Sequence, residues 1–297
     1  MTTASARVRL AFSPDSDDIF MFWALLNGKV DPEGLEFVAE RADTETLNQR
    51  ASQADVDVIA VSMARYAAIA DKYLLLPHGA SVGRGYGPIV VAAPGTPGTE
   101  GTGPEGLAAL RGKRIAIPGV NTTAFLVLRL LLAEFEPVVV PIVPYARVFE
   151  SLRAHEVDAA LLIHEGRLTY EREGFARVAD MGEGWAALTG GLPLPLGGNA
   201  IRRGLGDEAI AKISRLSRAS IVWALDHREE VMDALVAAET RKDVVVDRAL
   251  LDRYLTMYAN DDTLELPPDG RQAVTELFTR GHAAGFFPSP PPVAFAP

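Results

Sequence analysis

The chain has 297 residues, 48% of them hydrophobic and 23% charged, which fits a folded protein with room for two lobes rather than a disordered one. A net charge of −10 with no basic run excludes a nucleic-acid face and a membrane-surface role, both of which need clustered Lys and Arg. The absence of cysteine excludes disulfide frameworks, thiolate nucleophiles, iron–sulfur clusters and Cys-ligated zinc.

Residues Val8 to Phe12 are apolar or β-branched at alternate positions and predict a buried strand, broken by Ser13 and Pro14. Because strand residues begin so early, no secretory leader is expected, and no apolar run reaches the ~18 residues of a membrane span. The expectation is a cytoplasmic protein. Asp17 or Asp18 would cap a helix from Ile19 to Asn27, ending at Gly28. Strands follow at Leu35 to Ala39 and Val56 to Val61, with a helix at Glu45 to Ala51 between them and another from Ser62 to Lys72. This βαβα rhythm predicts a mainly parallel sheet with helices on its faces.

The bend Gly83 to Gly87 leads into a strand at Pro88 to Ala92. The Gly-, Pro- and Thr-rich stretch Pro94 to Gly106 reads as a surface connection between lobes. The pattern then restarts: a short helix at Leu107 to Leu110, a strand at Arg114 to Ile117, a helix at Thr122 to Phe135, a strand at Val138 to Val143, a helix at Ala146 to Arg153 and a strand at Val157 to Ile163. Gly190 to Gly198 reads as a second connection. Beyond it helices are expected at Asp207 to His227, Glu229 to Glu239, Arg248 to Tyr258 and Asp269 to Ala284, before a Pro-rich tail with no recognisable role. Two crossings predict a discontinuous lobe, 1–93 with 198–297, an inserted lobe, 94–197, and a hinged cleft between them.

Ligands of parallel α/β sheets bind beyond the carboxyl ends of the strands. Those ends carry Ser13, Ser62, the Thr122–Thr123 pair and His164, and three of them open a helix, whose free N–H groups suit an anion. For Ser62 and Thr122 helix capping is the competing role. His164 ends an apolar strand and is the side chain best suited to move a proton near neutral pH; a structural histidine is the alternative. Glu165 is adjacent but, on an extended chain, would point the opposite way. His155, His227 and His282 lie in charged or helical surroundings with no metal-ligand spacing, so no metal site is expected. The Gly83–Gly87 glycines precede a strand rather than opening a helix, which rules out the dinucleotide fingerprint, while Arg84 could reach the cleft as an anion partner. Asp15, Asp17 and Asp18 form an acidic loop that could coordinate a cation, but capping by one of them with the others solvated is the favoured account.

These motifs are recognisable. Phe12-Ser13-Pro14 with Asp18-Ile19-Phe20-Met21-Phe22, then Gly83 to Pro88, Pro118-Gly119 with Thr122-Thr123-Ala124, and above all Ile163-His164-Glu165-Gly166-Arg167-Leu168-Thr169-Tyr170 resemble 1,4-dihydroxy-6-naphthoate synthase and its relative chorismate dehydratase, and Pro193 to Gly198 also resembles the synthase. The likeness runs from about residue 8 to 287, and the His-Glu-x-Arg-x-Thr-Tyr stretch favours the synthase. It implies the α/β type II periplasmic-binding-protein fold used as an enzyme. The implied reaction opens cyclic dehypoxanthinyl futalosine, a small anionic substrate, in menaquinone biosynthesis, as a lyase needing no cofactor. His164 matches the family's proton acceptor, and Ser62 and Thr122–Thr123 its ligand-binding positions. Ser13, Ala60, Val61 and Arg84 complete the expected substrate-binding set. The chain differs in reading Asp15-Ser16-Asp17-Asp18-Ile19 for the usual Cys-Pro-Asn-Asp-Thr, and Ala60 for a usual Lys. The alternative reading is a non-catalytic solute-binding protein.

Overall fold

The computed structural model describes residues 6–96, 102–238 and 247–297. In chain order it runs β1 (Ala6–Phe12), α1 (Ser16–Leu26), β2 (Leu35–Arg41), α2 (Thr44–Arg50), β3 (Val58–Ser62), α3 (Met63–Tyr66), β4 (Tyr73–Leu75) and β5 (Ser81–Gly83). There follow β6 (Ile89–Ala92), α4 (Pro104–Ala108), β7 (Arg114–Ile117), α5 (Thr123–Leu131), β8 (Glu136–Val139), α6 (Ala146–Arg153), β9 (Ala159–Leu162), α7 (Gly166–Thr169), β10 (Ala176–Asp180) and α8 (Met181–Thr189). The chain finishes with β11 (Leu194–Arg202), α9 (Asp207–Asp226), α10 (Arg228–Ala238), α11 (Arg248–Tyr258), α12 (Asp261–Leu264) and α13 (Pro268–Ala283). The expected end of the α10 helix, Glu239, lies outside the described residues.

Two sheets form a two-lobed α/β fold. The first has the order β2-β1-β3-β11-β4, with β5 also paired to β11; the second has the order β10-β6-β9-β7-β8. Both are mixed rather than mainly parallel. β1 runs parallel to β2 and β3, and β7 parallel to β8 and β9, whereas β11 and β6 pair with their neighbours antiparallel. Composition sorts strands into centre and edge: β6 and β9 are wholly buried apolar runs, while β2 is charged and largely exposed and β8 carries Pro137, both at sheet edges. Helix starts follow local chemistry, with the Asp43, Thr122, Asp180 and Asp247 side chains capping α2, α5, α8 and α11.

The crossings differ from the expected ones. Four fully buried residues in β6 need a partner on each side, and they find β9 and β10 in the second sheet. The chain therefore changes sheets before Ile89, and residues 94–96 and 102–106 lie between β6 and β7 of the second sheet, with 97–101 outside the described residues. The return lies between β10 and β11, and the Pro- and Gly-rich stretch read as a linker is largely the first half of β11. Pro195 is accommodated because the ladder with β5 shifts register between Pro195 and Gly197. The Pro-rich tail also has a role: Leu75 donates to the Ala294 carbonyl at 2.9 Å and accepts from Ala296 N at 2.7 Å, so the tail covers the β4 edge. Among the described residues no helix is long and apolar enough to cross a membrane.

At the crossings two glycines let backbones touch. A Cβ on Gly182 would lie 2.1 Å from the Tyr86 carbonyl, and one on Gly83 would lie 1.9 Å from the same oxygen. Since backbone cannot rotate aside, Gly182→Ala is expected to cost about 1–3 kcal/mol, read as a lower urea midpoint at unchanged slope. A wild-type midpoint would show that the crossing is not held at this distance.

Candidate functional site

The carboxyl ends of β1, β3 and β9 and the start of α5 face one cavity of about 110 Å³ between the sheets. Ser13, Ala60, Val61, Ser62, Thr122, Thr123 and His164 all line it. So do Thr44, Asp17, Asp18, Tyr254 and Tyr258, which sequence reasoning did not assign to a ligand site.

Each expected polar residue is held by a different local device. Ser62 N donates to Asn48 Oδ1 at 2.9 Å, and Asn48 Nδ2 donates to Ser62 Oγ at 3.0 Å, leaving the serine proton available to the cavity. Asn48, fully buried on α2, is thus a positioning residue without a local motif to announce it. Thr122 is a cap: its hydroxyl donates to the Gly119 carbonyl at 2.8 Å and accepts from Phe125 N at 3.2 Å. The next N–H groups, of Thr123 and Ala124, stand at the open end of α5, where a helix has no intrahelical acceptors. Thr123 Oγ1 donates to the Leu196 carbonyl at 2.7 Å and accepts from Ala64 N at 3.0 Å, tying α5 to the first lobe. Glu45 adds a second tie, accepting from Asn121 N at 3.2 Å. Ala60 and Val61 contribute only wall, as neighbours of Ser62 on β3.

Arg84 is a correction. It does not line the cavity; its guanidinium donates to both oxygens of Asp262 at 2.7 Å and to Asp269 at 2.8 Å. The planar fork matches a carboxylate two bonds at a time, and two acids on α12 and the start of α13 claim it, so it pins the glycine bend to the C-terminal helices.

His164 has φ of +50°, in the left-handed region, immediately after β9. The chain therefore turns rather than extends, and the expectation that Glu165 points away fails. Glu165 is buried, and Ser16 Oγ donates to its Oε1 at 3.4 Å. Around the imidazole, Nε2 lies 3.1 Å from Thr44 Oγ1, while Nδ1 lies 3.3 Å from Asp15 Oδ2 and 3.4 Å from the Tyr254 hydroxyl. Thr44, Asp15 and Tyr254 all come from the first lobe, so the histidine of the second lobe is clasped across the cleft.

The acidic loop is likewise not a solvated cap. Asp15 occupies the N-cap position of α1 without a side-chain capping bond, and Asp15 and Asp17 are buried. Asp17 accepts from Ser81 Oγ at 2.9 Å and from the Tyr254 hydroxyl at 3.0 Å; Asp18 accepts from Ser13 N at 2.8 Å. Burial, then the neighbouring Asp17 charge, pushes the Asp18 carboxyl up to about 7, and burial likewise raises Asp17. Burial works against a charge on His164, but Asp15, Asp17, Glu165 and Asp18 together outweigh it and raise the imidazole above 6.5. A buried histidine with a raised pKa, lining the same cavity as a helix amino terminus, can hold and move one proton beside an anion site.

Known proteins share this arrangement of chain. The sequence is 40% identical to a 1,4-dihydroxy-6-naphtoate synthase of Thermus thermophilus over 96% of this chain and 98% of that one. It is 35% identical to a protein of the same name from Streptomyces coelicolor over 97% of this chain and 98% of that one. Its structure superposes on the crystal structure of an Archaeoglobus fulgidus protein with a TM-score of 0.84 at 40% identity, covering 96% of this chain and 100% of that one. At 14% identity it shares its fold with the alkanesulfonate-binding protein of Xanthomonas axonopodis, with a TM-score of 0.68 over 99% and 98% of the two chains. That likeness makes the two-lobed architecture a periplasmic-binding-protein fold. Residues 8–283 match the model of a family described as menaquinone biosynthesis, and the chain belongs to that family.

Proposed function

We propose that the chain is a cytoplasmic, cofactor-independent lyase that opens cyclic dehypoxanthinyl futalosine to give 1,4-dihydroxy-6-naphthoate, with His164 as the base. One observation carries the reading: in a member of the menaquinone family, Ser13, Ser62, Thr122, Thr123 and His164 come from separate strand and helix ends of both lobes and converge on one cavity. The substrate carboxylate would lie against Ser62 and the amino end of α5, where N–H groups and the helix dipole favour negative charge. His164 would stand across from it to take a proton. The same dipolar groups would stabilise charge developing in the substrate, in a site shielded from water.

A cavity of about 110 Å³ is well below the ~300–1,000 Å³ usual for ligand pockets, so the lobes part to admit this substrate. We place the hinge at the two crossings, near residues 84–88 and 181–193, with the first sheet carried by one lobe and the second by the other. Closure would then re-form the Thr123 and Glu45 ties and return His164 to its clasp.

The reaction is tested by incubating the protein with cyclic dehypoxanthinyl futalosine and following naphthoate; saturable binding without product would favour a solute-binding role instead. His164→Ala, folded by circular dichroism, is expected to lose about 10²–10⁴-fold in kcat, the usual worth of a general base. Wild-type turnover in that variant would remove His164 from the mechanism. The raised pKa fixes a sign for pH dependence. A base works only when deprotonated, so kcat/KM is expected to rise with pH through a midpoint above 6.5 and to fall about tenfold per unit below it. A rate–pH profile with its midpoint below 6.5 would contradict the assignment.

A further inference from the structure

The two edges of the His164 ring meet different chemistry. On the Nδ1 edge stand Asp15 Oδ2 at 3.3 Å and the Tyr254 oxygen at 3.4 Å; on the Nε2 edge stands Thr44 Oγ1 at 3.1 Å. A carboxylate only accepts. The Tyr254 hydroxyl donates its proton to Asp17 at 3.0 Å, so it turns a lone pair toward Nδ1. Both neighbours of Nδ1 are therefore acceptors, and the ring satisfies them by carrying its proton there. Thr44 can donate or accept by rotating its hydroxyl, so it accommodates a bare Nε2 by donating to it, a bond that an incoming substrate proton would displace.

Of the charged groups facing the ring, Asp15 brings a carboxylate oxygen to 3.3 Å from Nδ1. Asp17 is held by Ser81 and Tyr254, Asp18 by Ser13 N, and Glu165 faces Ser16. The 3.3 Å separation is slightly long for an N–H···O bond, as such pairs often are until substrate tightens them.

We infer that Asp15 is the positioning residue of His164: it holds Nδ1–H, so that Nε2 presents its lone pair to the cavity, and it balances the imidazolium formed when Nε2 takes a substrate proton. The electron pair of the broken bond stays on the substrate, and no other reactant is needed. Because Asp15 belongs to the first lobe and His164 to the second, the pair is complete only when the cleft is closed, which links closure to the readiness of the base. This inference rests on His164 being the base.

The experiment is the pH dependence of naphthoate formation by Asp15→Asn beside the wild-type chain. Losing the carboxylate is expected to lower kcat on the plateau about 10–100-fold, the usual cost of removing a group that orients an imidazole, with KM within about threefold. It is also expected to move the acid limb of kcat/KM to lower pH, since the anion that favours imidazolium is gone. Asp15→Glu should recover part of both effects. A wild-type plateau or an unmoved limb overturns the inference. A second measurement needs neither turnover nor a variant. With ¹⁵N-labelled histidine, the neutral wild-type ring is expected as the Nδ1–H tautomer, and a bare Nδ1 with a protonated Nε2 overturns the inference. Failure of His164→Ala to lose activity would instead strike the base assignment itself.

Discussion

Carboxylates cannot be gathered away from water unless something shares or cancels their charge, and this constraint organises the cleft. Asp15, Asp17 and Glu165 are buried and Asp18 lies against them, all around one imidazole. The chain meets the constraint in three ways at once. Burial raises Asp17 and Asp18 toward protonation, hydrogen bonds from Ser81 and Tyr254 to Asp17 and from Ser13 N to Asp18 work against that rise, and the surrounding acids raise His164 toward the cation. The turn at φ +50° follows from the same need, because it brings Glu165 inward as well as His164.

The cluster matters to motion because its members belong to different lobes. In the structure the histidine lies against Asp15, Tyr254 and Thr44, while Thr123 and Glu45 make neutral or half-exposed ties nearby. A typical hydrogen bond contributes only about 0.5–1.5 kcal/mol net, and apolar packing adds to these ties: one buried cluster runs through both lobes, with Phe125 of α5 edge-on to Phe286 of the C-terminal segment. The close glycine contacts at the crossings act differently: Gly83 and Gly182 meet Tyr86 backbone, which fixes where the chain passes between lobes.

Most strand ends were legible because polar residues interrupt apolar runs at Ser13, Ser62 and His164, and the cap at Thr122 follows from its side chain. What local patterns could not supply is any contact between distant residues. Arg84 carries no sign in its own neighbourhood that Asp262 and Asp269 will claim it. Asn48 is an unremarkable helix residue until β3 is laid beside it. Glu165 was misplaced by assuming that the strand continued, and a left-handed histidine is not something residue type announces. β11 was read as a linker because Pro193, Pro195, Gly197 and Gly198 usually end strands, and only the register shift beside Pro195 shows how the ladder tolerates them. The motif resemblance reached the family through the His164–Tyr170 stretch, which confers identity without geometry.

Removing Arg84 from the cleft changes how an anion would be held. Among the described residues lining the cavity none is Lys or Arg. The charge around the cavity is nonetheless uneven: the acids Asp17 and Asp18 line one part of its wall, and the open amino end of α5 and the Ser62 hydroxyl another. Under the proposed function, a substrate carboxylate would be repelled from the first wall and drawn to the second, so orientation comes from charge before any close fit is made. That order suits the chemistry. The carboxylate end would be kept away from the histidine, and the remainder of the molecule would be left facing Nε2. A lysine at position 60 would strengthen anion binding on β3 but would also oppose a positive charge forming on His164. With alanine there, the electrostatic support for the proposed proton uptake would come undiluted from the acidic cluster.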